Sequence, residues 1–275
     1  MLKFKQVDVF TAKPFLGNPV AVVIGAESLD TAAMQRIACW TNLSETTFLL
    51  KSTQADYKLR IFTPRAELPF AGHPTVGSAH AALESGFVSR KTTLTQECAA
   101  GIIPLSVEGS KIFLRAPEAR VAPFSSKSLE SSLGGKIENL QRVNVGPVWI
   151  VGEVESAAAL AAMIPDMGAL AAASNEAEAG GVTLFAKSND TESAIHVRSF
   201  APAHGINEDP VCGSGNISVA AYLKSTSGLS RFSSSYVARQ GMQLGRDGRV
   251  HVRVSDKGIE VGGDAVTCVD GTLKH

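Results

Sequence analysis

Asn207-Glu208-Asp209-Pro210-Val211-Cys212-Gly213-Ser214-Gly215-Asn216 brings acids, a thiol and a hydroxyl together around a glycine-rich turn. It runs straight into the apolar pattern Ile217-Ser218-Val219-Ala220-Ala221-Tyr222-Leu223. A glycine-rich turn ahead of a helix can aim backbone N–H groups at a ligand. The helix start adds partial positive charge, so the place suits an anion. Asp209 supplies a carboxylate just upstream. Cys212 reads either as a nucleophile or proton carrier, or as a small packed residue.

A second stretch is built the same way. Phe62-Thr63-Pro64 is followed by Leu68-Pro69-Phe70-Ala71-Gly72-His73-Pro74, as Phe200-Ala201-Pro202 is followed by Cys212-Gly213-Ser214. In both, an aromatic-x-Pro tripeptide ends an expected strand, and a Gly opens a small-residue helix with Ala seven places later, Ala79 and Ala220. This pattern indicates a diverged internal duplication. Two helix starts of one kind are then expected to face each other across a cleft. His73 either caps or packs in its loop, or contacts a substrate.

A third candidate comes from strand periodicity. Leu43 to Leu50 reads as a strand, which puts Leu43, Glu45, Thr47 and Leu49 on one face. Glu45 then either meets solvent at that face or sits in a cleft, where its pKa would rise into the range of proton transfer.

The elements that must position these residues are strand-rich. Strands are expected at Val7–Phe10, Pro19–Ile24, Tyr57–Thr63, Thr92–Gln96, Gly101–Val107 and Lys111–Arg115. A helix capped by Ser28 should run to Trp40, and another from Pro74 to a stop at Gly86. From Ala116 to Gly135 the chain turns polar and rich in Ser, Pro and Gly, with a short helix at Leu129–Leu133. Beyond it come a strand in Val143–Gly152, helices from Ser156 and Asp166, and strands at Val182–Ala186 and Ala194–Phe200. The helix after Gly215 should end near Gly228. Asp247-Gly248 reads as a hairpin turn between Met242–Gly245 and Val250–Val254, and Ile259–Val261 and Ala265–Val269 close the chain. The expectation is an α+β protein of two halves, 1–118 and 119–275, with the last strand free to return to the first half.

Composition narrows the function. The 275 residues carry 26 Lys+Arg against 26 Asp+Glu, with 44% hydrophobic and 19% charged residues. No basic block stands out, so nucleic acid and anionic membrane are not expected partners. No run is long enough to span a bilayer, and the start lacks the apolar core of a signal peptide. The cysteines, Cys39, Cys98, Cys212 and Cys268, form no CxxC pair, so a reducing cytoplasm is expected. His73 and His80 lie about 10 Å apart along a helix and cannot share a metal. No metal site is expected.

With these residues in view, the sequence resembles the PhzF family of phenazine-biosynthesis-like proteins. The matching segments are Val7-Asp8-Val9-Phe10, Gly17-Asn18-Pro19-Val20-Ala21-Val22-Val23, Asn42 to Phe48, Ile61 to Pro64, and Glu67 to Pro74. They continue with Glu208-Asp209-Pro210, Gly213-Ser214-Gly215, Ala238-Arg239-Gln240-Gly241 and Gly262-Gly263. The resemblance implies the diaminopimelate epimerase-like fold: two pseudo-symmetric halves, each a twisted, mostly antiparallel sheet wrapped around a central helix. It implies Glu45 as catalytic acid/base, with His73, Asp209 and Ser214 at the family's other active-site positions. Gly72, Gly213, Cys212 and Gly215 line the substrate-binding turns. The implied activity is a cofactor-independent proton shift within a small carboxylate such as trans-2,3-dihydro-3-hydroxyanthranilate, by a homodimer. A carboxylate can take a proton and return it elsewhere without a cofactor. Alternatives are an epimerase or racemase using Glu45 with Cys212 or His73, and a member that binds a small acid or a protein without turnover. Epimerases of this fold oppose two cysteines, but Ala71 stands where the partner of Cys212 would be.

Overall fold

Gly72–Glu84 and Gly213–Ser225 are small-residue helices buried on nearly every side. A helix without a polar face must be covered all round, and in each case strands do the covering. The computed structural model describes residues 1–274. They divide into two units, 1–114 with 262–274, and 115–261.

The first unit runs β1 (Leu2–Val9), β2 (Asn18–Ile24), α1 (Thr31–Thr41), β3 (Thr46–Leu50), β4 (Tyr57–Phe62), β5 (Glu67–Leu68), α2 (Gly72–Glu84), β6 (Thr93–Cys98), β7 (Gly101–Glu108) and β8 (Lys111–Arg115). Alternate residues of β3 face opposite ways, as strand geometry requires. Thr47 Oγ1 meets Ser78 Oγ of α2 at 2.8 Å, while Phe48 joins Met34 and Ala38 of α1 in a separate apolar cluster. The helix α1 starts at the cap Asp30, whose carboxylate accepts from Ala33 N at 2.7 Å. The expected cap, Ser28, lies two residues too early.

The second unit runs β9 (Arg120–Pro123), α3 (Lys127–Leu133), β10 (Glu138–Asn144), β11 (Val148–Glu153), α4 (Ala157–Ala162), α5 (Met167–Glu176), β12 (Gly181–Lys187), β13 (Ile195–Ala201), β14 (Ile206–Asp209), α6 (Gly213–Ser225), β15 (Ser235–Gln240), β16 (Gly248–Ser255) and β17 (Gly258–Gly263). The closing strand, β18 (Ala265–Leu273), pairs antiparallel with β1 and so belongs to the first unit.

The duplication is visible in the pairings. In the first unit β2 runs parallel to β3, β3 antiparallel to β4, β4 antiparallel to β5 and parallel to β6, and β6 antiparallel to β7. The second repeats this order with β11, β12, β13, β14, β15 and β16. The helices match too: α2 and α6 are each 13 residues long and begin at Gly72 and Gly213.

Two expectations are corrected. Asp247-Gly248 is not a hairpin turn between adjacent runs. Across this connection β16 pairs with β15, and Met242–Leu244 within it is a 3₁₀ turn. Asp247 is instead drawn to Arg239, whose Nε lies 2.6 Å from its carboxylate. Pro74 does not open α2 either. It is the third residue, so His73 lies inside the helix and not before it.

Candidate functional site

Glu45 is the last residue before β3, where the expectation placed it within the strand. Its carbonyl accepts from Ala21 N at 3.4 Å, which extends the β2–β3 pairing by one rung and fixes the backbone. The carboxyl side chain is 14% exposed. Burial raises its pKa from 4.5 to about 7, and a hydrogen bond with Ser44 offsets only part of that shift. A carboxyl so placed can hold or release a proton near neutrality.

His73 is its neighbour. Nε2 lies 3.3 Å from Glu45 Oε2, and the imidazole is 7% exposed. On the other side of the ring, Asn18 Nδ2 lies 3.5 Å from His73 Nδ1. Asn18 thus flanks the imidazole on the side away from Glu45. Asn18 is set by the turn before β2, where Gly17 N donates to the buried carboxylate of Asp8 at 3.0 Å. Gly72 opens α2, and its cap residue Ala71 offers no side-chain hydrogen bond. That leaves the first-turn amides of the helix without a side-chain acceptor from the cap. Glu45, His73 and Gly72 therefore gather in the first unit, with Asn18 as a supporting residue that the sequence showed only as part of a motif.

The remaining predicted residues gather in the second unit at the start of α6. Cys212 is the cap, and its sulfur accepts from Gly215 N at 3.3 Å. Burial pushes the thiol well above its ordinary value, with the nearby Asp209 charge adding to it. A thiol held in that state is a poor nucleophile and a poor base at neutral pH. Asp209 Oδ1 accepts from Val211 N at 3.1 Å, closing a local turn. Ser214 Oγ accepts from Trp149 Nε1 at 3.0 Å. Gly215 has no room for a side chain: a Cβ would lie 2.6 Å from Ser199 Oγ and 2.8 Å from Thr183 Oγ1. Gly213 is the first residue of the helix.

Gln240 holds this loop together and, like Asn18, stood out in the sequence only as part of a motif, Ala238-Arg239-Gln240-Gly241. Its Oε1 accepts from Cys212 N at 3.2 Å and from Asn216 Nδ2 at 3.0 Å, while its Nε2 donates to Asp209 O at 2.9 Å. Trp149 was missed. Both are long side chains reaching across strands, and no local spacing announces such a reach.

Among the described residues, no group of three or more His, Cys, Asp or Glu is placed to hold a metal ion. No helix among them is long and apolar enough to cross a membrane.

Known proteins share this architecture. The family described as phenazine biosynthesis-like protein, PhzC-PhzF, matches residues 7–271. The chain is 40% identical over 290 residues to Antisense-enhancing sequence 1 of Schizosaccharomyces pombe, covering 98% of this chain and 97% of that one. It is 33% identical over 287 residues to trans-2,3-dihydro-3-hydroxyanthranilate isomerase of Pseudomonas aeruginosa, covering 98% and 99%. The crystal structure of a PhzF-family phenazine biosynthesis protein of Bacillus anthracis is 26% identical and superposes with a TM-score of 0.89, covering 100% of this chain and 99% of that one.

Proposed function

The chain belongs to the PhzC-PhzF family of phenazine biosynthesis-like proteins, and from that premise we propose that Glu45 is the acid/base of a proton-shifting isomerase. Relatives matched over nearly their whole length are named isomerases, and this protein is an isomerase. The proposed substrate is a small cyclic carboxylate of the trans-2,3-dihydro-3-hydroxyanthranilate type, the compound in the name of the Pseudomonas aeruginosa relative.

In the proposed reaction, ionised Glu45 takes a proton from a tetrahedral ring carbon. The C–H electron pair moves into the conjugated system, and the double bonds shift along the ring. The carboxylic acid so formed then gives its proton to a different ring carbon. Nothing is oxidised or reduced, and Glu45 ends as it began. His73, whose Nε2 lies 3.3 Å from Glu45 Oε2, stabilises the carboxylate while it is ionised. The first-turn amide of α2 at Gly72 suits a substrate carboxylate, and so, separately, does that of α6 at Gly213. Asp209 and Ser214, which by resemblance take the family's other active-site positions, are proposed to contact the substrate, and the same reading takes the active species as a homodimer.

One observation carries this reading: the Glu45 carboxyl is buried beside His73 with a pKa near 7. The thiol of Cys212, occupied as a helix cap, supports proton transfer by the carboxyl over cysteine chemistry. The test is incorporation of solvent deuterium into trans-2,3-dihydro-3-hydroxyanthranilate during turnover, followed by mass spectrometry. Glu45→Gln should slow it by about 10²–10⁴-fold. Exchange at the wild-type rate in Glu45→Gln would end the assignment.

A further inference from the structure

The two units have matched positions with unmatched chemistry. Thr46 pairs with Phe62 in β3–β4, and Val182 pairs with Phe200 in β12–β13. Aligning the two phenylalanines places Gly181 at the position of Glu45. The helix starts place Ser214 at the position of His73. The second unit therefore keeps no acid at the equivalent point.

Trp149 occupies that space instead. It lies beside Gly181 in the parallel β11–β12 pairing and is buried. A Cβ on Gly181 would collide with Phe200 O and lie 2.9 Å from Trp149 Cζ3. The missing side chain is what admits the indole. Its N–H then donates to Ser214 Oγ at 3.0 Å, at the position where His73 lies 3.3 Å from Glu45 in the other unit.

We infer that Trp149 is a positioning residue that fixes Ser214 as a hydrogen-bond donor to the substrate carboxylate. A serine hydroxyl has one hydrogen and two lone pairs. An indole N–H can only donate, so it takes up a lone pair of Ser214 Oγ and leaves the serine hydrogen to point elsewhere. The oxygen also meets Cys212 Sγ at 3.6 Å, a contact in which either atom can donate. A carboxylate is a far stronger acceptor than a thiol sulfur, so an incoming carboxylate takes the serine hydrogen from that contact. Ser214 is less buried than Cys212, Gly213 and Gly215 around it, so an acceptor can reach it. The inference rests on the assignment of Ser214 to substrate binding made above.

Two measurements test it. The protein has two tryptophans, Trp40 and Trp149, so a ¹⁵N–¹H spectrum holds two indole signals, and Trp149→Phe identifies one by its loss. Ser214→Ala should shift the Trp149 indole signal and leave that of the exposed Trp40 in place. If neither signal moves, the hydrogen bond is absent and the inference falls. The second measurement is calorimetric binding of anthranilate as a stable aromatic carboxylate. Trp149→Phe keeps a ring beside Gly181 and should weaken binding about three- to tenfold. It should raise KM with kcat nearly unchanged. In the Ser214→Ala background, Trp149→Phe should cost nothing further. Additive losses would overturn the inference, as would equal affinity of wild type and Trp149→Phe, including no affinity in either. Glu45→Gln separates the two readings: wild-type deuterium exchange in that variant would end the proton-shift assignment and leave the Trp149–Ser214 coupling to be judged by its own cycle.

Discussion

His73 Nε2 stands 3.3 Å from Glu45 Oε2, with both side chains largely withdrawn from water. The pair brings the loop ahead of β3 against the first turn of α2, beside the Thr47–Ser78 contact between the same two elements. Burial makes the charged carboxylate costly, and a pKa of about 7 follows. That combination fits a group that must pass a proton in both directions at neutral pH.

The first prediction is a pH profile. Glu45 must be ionised to accept the substrate proton. Below its pKa of about 7, kcat/KM should fall roughly tenfold for each further pH unit. Above that pH the profile should level off on this limb. A profile flat from pH 5 to 8 would remove Glu45 from the role of base.

The second concerns stability, and its sign is opposite to that of most carboxylates. The folded pKa is raised, so between about 4.5 and about 7 the folded protein retains a proton that the unfolded chain has lost. Stability therefore falls as pH rises through that window and is level above it. Glutamine has no charge to desolvate. Glu45→Gln should be more stable than wild type at pH 8, by an amount on the order of 3 kcal/mol. The gain should vanish below pH 4.5. Thermal melts of both proteins from pH 4 to pH 8 measure it, and a gain independent of pH would contradict the buried charge.

How much of this could be read in the chain depends on the range of the interactions. The two helix starts were legible because a local pattern, aromatic-x-Pro and then Gly before small residues, repeats at Gly72 and Gly213. Glu45 was singled out by resemblance, while its place outside the strand was not legible. Period-2 alternation carries on through Leu43-Ser44-Glu45, and nothing local says that pairing stops at Thr46. The Asp247-Gly248 turn misled because a strong local turn signal was overridden by Arg239 and Arg249, which both bind Asp247. Trp149, Gln240 and Asn18 act across strands, over separations no local pattern encodes.

The third prediction follows from Cys212 as a cap. Its sulfur accepts from Gly215 N, a task that a hydroxyl also performs. Cys212→Ser should retain activity and stability, whereas Cys212→Ala should lose about 0.5–2 kcal/mol. Iodoacetamide on the native protein should label the exposed Cys39 well before the buried Cys212. Rapid alkylation of Cys212 with loss of exchange activity would return the thiol to the chemistry.

The fourth compares one ion pair with its own duplicate. Arg60 of β4 grips Glu67 through Nε and Nη2, both at 2.7 Å. Arg198 of β13 grips Glu208 in the same two-pronged way, both at 2.9 Å. Each arginine also lies over the phenylalanine two places on, Phe62 and Phe200. Burial separates them, for the first pair is 23% and 34% exposed and the second 6% and 8%. Removing one charge from an exposed pair costs little because water takes over, so Glu67→Gln should lose about 0.2–1 kcal/mol. Arg198 has little access to water, and its Nη1 is already used on Leu160 O and Met163 O. Glu208→Gln strands that charge and should lose about 3–5 kcal/mol. Denaturant midpoints of the two variants measure the difference. Equal losses would mean that both pairs are hydrated alike, and that the β13–β14 connection leading to Asp209 is held by something other than this fork.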